Sequence, residues 1–234
     1  MGKLLAALLA AGKLGKLLTT GGSMLVSMLV YSWVFGWPYA VGFVLLIFVH
    51  EMGHYVAARQ RGLPVGAPTF IPFVGAWIAM KEMPRDVETE AYVGFAGPLA
   101  GSAAAMACYF LARETGSQLL LALAYAGCML NLFNLIPISP LDGGRITAII
   151  SPKVWLLGVP LLAGLFFYRP SPMLILIAIL AYPQLKAAIW GNPDLPAAYY
   201  AASAEARINY AVMYLGLVAF LAIMSHEIHG MIRT

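Results

Sequence analysis

Between Lys16 and Glu51 the chain carries no Lys, Arg, Asp or Glu. Crossing roughly 30 Å of hydrocarbon takes about 20 apolar residues, so this stretch is long enough to cross twice. Gly36-Trp37-Pro38 divides it, because Gly and Pro punctuate helical runs, into spans expected near 22–36 and 38–58. A backbone in lipid must satisfy its own polar groups, and a helix does so within one segment.

Further apolar runs lie at about 91–112, 118–138, 153–168, 171–189 and 208–228. The runs at 153–168 and 171–189 are short and interrupted by Pro160 and Pro183. Only 10% of the residues are charged against 62% hydrophobic. A soluble domain is about 25% charged, so a soluble globule is excluded. The expected fold class is an all-α membrane protein, a polytopic bundle of about 6 or 7 transmembrane helices.

Lys3, Lys13 and Lys16 interrupt a Leu/Ala-rich start, and with Gly12 and Gly15 they break the apolar core that a signal peptide needs. Residues 1–20 are therefore expected to form an interfacial amphipathic segment, helical over 2–18. With the N-terminus in the cytoplasm, Lys3, Lys13, Lys16, Arg59, Arg61, Lys81, Arg85, Arg145, Lys153, Lys186 and Arg207 fall inside. Arg113, Arg169 and Arg233 fall outside, which is the orientation that the positive-inside rule favours. The expected location is a prokaryotic plasma membrane. A net charge of +4 spread between apolar runs gives no basic stripe for nucleic acid. Cys108 and Cys128 sit inside apolar runs without CxxC spacing and read as packing residues.

Two polar connections stand out. In Arg61 to Glu90, the stretch Thr69 to Met80 mixes β-formers with Pro and Gly, which predicts a short membrane-associated β-hairpin between the second and third spans. An ordinary interfacial loop is the competing reading. In Gly191 to Arg207, Asn192-Pro193-Asp194 predicts a turn followed by a surface helix. The expected organisation is thus a segment 1–20, a core 21–190 containing the hairpin loop 62–90, and a part 191–234 with a surface helix and a last span.

Chemistry concentrates in His50-Glu51-Met52-Gly53-His54, near the end of the second span. Helical residues four apart share a face, so both imidazoles can reach one ion, with Glu51 beside it. Ionisable residues inside an apolar run cost several kcal/mol unless partnered or functional. Counting back from Arg59 at 1.5 Å per residue places His50 about 13 Å below the cytoplasmic interface. A catalytic zinc takes three protein ligands and keeps one position open. Asp142 is the leading third donor, in Asn134-Leu-Ile-Pro137-Ile-Ser-Pro140-Leu-Asp142-Gly-Gly on the same membrane side. Asp-Gly-Gly alone would be an ordinary turn. His226-Glu227-Ile-His229 closes the last span at its outer end and reads as interfacial.

With His50 to His54 matching HExxH and Asn134 to Gly143 matching NxxPxxxLDG, the chain resembles the site-2 protease family of intramembrane zinc metalloproteases, peptidase family M50. The resemblance implies one Zn²⁺ per chain held by His50, His54 and Asp142, Glu51 as catalytic base, and Asn134 close to the site. For Asn134 the residues leave two roles open, a donor to the oxyanion or substrate backbone and a helix-packing amide. Gly97-Pro-Leu-Ala-Gly101 looks like the family's GxxxN/S/G element and reads foremost as close helix packing. The family's membrane-entering sheet corresponds here to Phe73, Val74, Gly75, Ala76, Trp77 and Ile78, where an extended substrate would add as a strand. No stretch has room for a PDZ or CBS domain.

The implied function is hydrolysis of peptide bonds within or near transmembrane segments of membrane-protein substrates, with access controlled by helix movement or by a regulatory membrane protein. The alternative is a membrane transporter or sensor that binds metal without hydrolysis, and Glu51 discriminates the two.

Overall fold

The structure is a computed structural model that describes residues 2–66, 68–72, 75–77, 82–192 and 194–233. Helix α1 (Gly2–Phe35) runs unbroken through Gly12, Gly15, Gly21 and Gly22. The boundary expected near residue 20 is therefore absent from the backbone. Each internal glycine weakens a helix by only about 1 kcal/mol against Ala, and the apolar residues around them carry it through. The real break is Gly36, whose φ of 82° is a left-handed conformation, and Pro38 then sits in the first turn of α2 (Trp37–Gln60).

Asp86 caps α3 (Val87–Thr115) by accepting from the Thr89 amide at 2.7 Å, and Gly116 ends it at φ 69°. Ser117 then caps α4 (Gln118–Asn134). The short α5 (Asp142–Thr147) is followed by a 3-10 turn at Pro152–Leu157, α6 (Gly158–Tyr168), α7 (Pro172–Trp190), a second 3-10 turn at Ala197–Tyr200, and α8 (Ala204–Arg233).

Helix α3 lies between α2 and α4, with α1 on the far side of α2 and α8 against α4. Small residues allow the close approach. A Cβ at Gly53 would overlap the Ala96 carbonyl oxygen, and one at Gly127 would meet the Ala105 Cβ at 2.8 Å. Buried Ala105, Leu121, Ala124, Cys128 and Leu221 fill the α3–α4–α8 seam.

Among the described residues, four helices are long and apolar enough to cross a membrane: 37–60, 87–115, 172–190 and 204–232. Helix α4, with 17 residues, and the segment 152–168 fall short of the spans expected at 118–138 and 153–168. At 1.5 Å per residue α4 covers about 25 Å. It ends early because Pro137 and Pro140 cannot continue the hydrogen-bond ladder. With this composition the chain is an integral membrane protein.

Non-helical backbone at membrane depth is tolerated only when protein groups satisfy it. That condition is met around 135–150 by side chains from distant elements. Tyr214 of α8 donates to the Leu135 carbonyl at 2.5 Å, and the Ser139 amide donates to Gln184 Oε1 of α7 at 2.5 Å. Trp155 Nε1 donates to the Gly144 carbonyl at 2.8 Å. Arg207 is the largest clamp: Nη1 donates to the Ile149 and Ile150 carbonyls and Nη2 to the Tyr200 carbonyl, each at 2.8 Å, with Nε reaching the Ala202 carbonyl at 3.4 Å. The variant Arg207→Met keeps the aliphatic stem and loses all four bonds. We expect it to lower unfolding free energy by about 2–3 kcal/mol, measured by denaturant titration in detergent. Next to this clamp, Tyr199 donates to Glu90 Oε2 of α3 at 2.8 Å. Burial, then the neighbouring carboxylate, pushes the Tyr199 phenol up, which keeps it a donor.

Between α2 and α3, β1 (Thr69–Ile71) pairs antiparallel with β2 (Gly75–Trp77), Phe70 opposite Ala76. Strand β1 is fastened to α1, since the Phe70 amide donates to Ser23 Oγ at 3.1 Å and Thr20 Oγ1 donates to the Pro68 carbonyl at 2.7 Å. The Phe70 ring stacks on Phe48, two residues before His50.

Candidate metal centre

Helix α2 places His50 and His54 one turn apart on the face toward α3 and α4, and α5 brings in Asp142 as its first residue. The two Nε2 atoms are 3.1 Å apart. His50 Nε2 lies 3.1 Å from Asp142 Oδ2, and His54 Nε2 lies 3.1 Å from Asp142 Oδ1. All three residues are buried: His50 is 3%, His54 7% and Asp142 8% exposed.

Whether these groups fit a metal is decided by the other ring nitrogens. His54 Nδ1–H donates to the Val93 carbonyl of α3 at 2.7 Å, and His50 Nδ1–H donates to Asn131 Oδ1 of α4 at 2.8 Å. Both Nε2 atoms then carry lone pairs aimed at a carboxylate, an arrangement that repels itself unless a cation lies between. A tetrahedral ion with bonds of about 2.0–2.1 Å would set its ligands about 3.3 Å apart, close to the observed separations. The outward hydrogen bonds are the supports that metal-binding histidines use. The residues fit.

Glu51 follows His50 on α2, is 8% exposed, and lies within electrostatic reach of His50, His54, Asp142 and Arg145. It stands beside His50, His54 and Asp142, which among the described residues form the group that could hold a metal ion. The structure thus brings together four of the expected residues. Asn134 Nδ2 donates to the Leu130 carbonyl of its own helix at 3.1 Å. Of the expected substrate strand, Gly75, Ala76 and Trp77 form β2, while Phe73, Val74 and Ile78 lie outside the described residues.

Sequence reasoning missed Asn131, the amide that does touch the site. Its one signal was being an Asn in an apolar run, which in lipid demands a partner. Also missed was what the α3 glycines face. A Cβ on Gly97 would overlap the His54 imidazole, and one on Gly101 would overlap the Asn131 carboxamide. These glycines make room for the His54 ring and for Asn131, the partner of His50, as well as for helix packing. Gly97→Ala must displace His54, so we expect zinc affinity to fall about 10–100-fold, as when a supporting residue is lost, in chelator competition.

Residues 38–117 match the family model described as peptidase family M50. That segment holds His50, Glu51 and His54, and Asp142 joins them through the fold. The chain is 36% identical over 124 residues to "Zinc metalloprotease MJ0392" of Methanocaldococcus jannaschii, covering 49% of this chain and 36% of that one. It is 28% identical over 155 residues to "Probable zinc metalloprotease EGY1, chloroplastic" of Arabidopsis thaliana, covering 46% and 28%. The chain thus spans about a third of the length of these curated relatives. The solved "Site-2 Protease from Methanocaldococcus jannaschii" aligns with a TM-score of 0.48 at 24% identity, over 70% of this chain and 85% of that one. On the sequence matches, residues 38–117 of the chain resemble peptidase family M50, and the relatives matched carry names of zinc metalloproteases.

Proposed function

We propose that the protein is an intramembrane zinc endopeptidase that cuts peptide bonds within transmembrane segments of other membrane proteins. The observation that carries this is the convergence of His50 Nε2, His54 Nε2 and the Asp142 carboxylate at 3.1 Å, buried inside a helix bundle with Glu51 beside them. The relatives named as zinc metalloproteases support zinc as the ion. Imidazole nitrogen and carboxylate oxygen are ligands that zinc takes.

Bound there, zinc supplies Lewis acidity, polarising a carbonyl and making water acidic near neutral pH. His50, His54 and Asp142 fix the position where this happens. The Glu51 carboxylate takes the proton of the attacking water and passes it to the leaving amide nitrogen. Water reaches the site from the cytoplasmic side, toward which Arg59 and Arg61 end α2. Because a helix hides its peptide bonds, the substrate unwinds first, and the open edge of β2 receives it as an added strand. Among the described residues the sheet has two strands, which leaves that edge for an incoming chain.

The test uses purified protein in detergent with a single-span substrate carrying a helix-breaking residue. Cleavage that a zinc chelator abolishes and added zinc restores supports the proposal. Cleavage that is indifferent to chelation refutes it.

A further inference from the structure

We infer that Asn131 is a positioning residue that fixes which nitrogen of His50 faces the metal, an inference that rests on the metal reading above. Asn131 is 1% exposed in the last turn of α4, and both ends of its amide are engaged. Nδ2 donates to the Gly127 carbonyl at 2.7 Å. A carbonyl only accepts, so the NH₂ end is committed there and the oxygen end must be the one 2.8 Å from His50 Nδ1.

That oxygen can only accept, so Nδ1 must carry the proton and Nε2 must keep its lone pair. The Gly127 carbonyl thus orients the Asn131 amide, and the amide sets the metal-facing nitrogen of His50. Gly101 seats the amide, because any Cβ there would overlap its oxygen and come within 2.7 Å of its nitrogen. His54 needs no such side chain, since the Val93 carbonyl does the same task directly. The site therefore draws one imidazole support from α3 backbone and the other from an α4 side chain. The metal centre is thereby tied to the α2–α4 contact.

The experiment measures zinc affinity by chelator competition in purified wild type, Asn131→Leu and Asn131→Asp, and records the visible spectrum of each with Co²⁺. Both variants lose the bond to Gly127, and only Asp keeps an oxygen for Nδ1–H. We expect Asn131→Leu to weaken zinc binding about 10–100-fold and to shift the Co²⁺ bands, with Asn131→Asp recovering most of the affinity. Leu binding as tightly as wild type would overturn the inference. Asp as weak as Leu would also overturn it, placing the loss in the missing Gly127 bond. If Asn131→Leu does not fold, Asn131→Asp decides alone: near-wild-type affinity supports the inference and a 10–100-fold loss overturns it. Wild type that takes up no zinc would overturn the metal reading itself and this inference with it.

Discussion

Glu51→Gln is expected to keep zinc at one per chain while slowing peptide-bond hydrolysis by about 10²–10⁴-fold. Gln fills nearly the same volume in a position only 8% exposed, so the packing of α2 survives. The ligand set His50, His54 and Asp142 is untouched. What disappears is the only part the mechanism asks of Glu51, accepting a proton from water and delivering it to the leaving nitrogen. Product formation timed by gel, together with metal analysis of the same preparation, checks both halves. A transporter or sensor would show the same metal content with no substrate cut by either form.

Asp142→Asn is expected to empty the site. It exchanges the one anionic ligand for a neutral amide at nearly unchanged shape, and leaves two imidazole nitrogens 3.1 Å apart with no anionic ligand to complete the set. Zinc affinity should fall by more than the roughly 10–100-fold that follows loss of a supporting residue. Cleavage should fall with it. Because an ion that binds only the folded chain stabilises it, the variant should also lose the zinc-dependent rise in melting temperature that wild type shows. Metal stoichiometry and thermal melts with and without added zinc measure this.

Much of the site was legible because its strongest signals are local. His50, Glu51 and His54 are related by helix geometry alone, and the Gly36-Trp37-Pro38 break that starts their helix is a matter of backbone chemistry. Asp142 was legible through its motif and the membrane side it shares with the histidines. Asn131 and Asn134 were not separable from sequence: both lie on α4, and which one meets His50 depends on how α4 packs against α2. The glycines of α3 pose the same problem, since spacing reveals a small-residue face but not that His54 and Asn131 press against it.

The shortness of α4 and of the segment 152–168 was hidden for a different reason. Hydropathy counts apolar residues, and the run 118–138 is apolar apart from Gln118, Asn131 and Asn134. The helix nevertheless ends at Asn134, because Pro137 and Pro140 cannot continue it and Tyr214 and Gln184 from other helices satisfy the Leu135 carbonyl and the Ser139 amide beyond its end. The continuity of α1 shows the converse. The segment 1–20 and the span near 22–36 were expected as separate units, and they form one continuous helix.

The most direct test of the account is to reconstitute wild type and Glu51→Gln in lipid vesicles with a single-span substrate and map product termini by mass spectrometry. The account predicts termini inside the apolar span, formed by wild type and lost both with Glu51→Gln and on chelation. Termini confined to the substrate's water-exposed loops, or equal cleavage by the two forms, would contradict it.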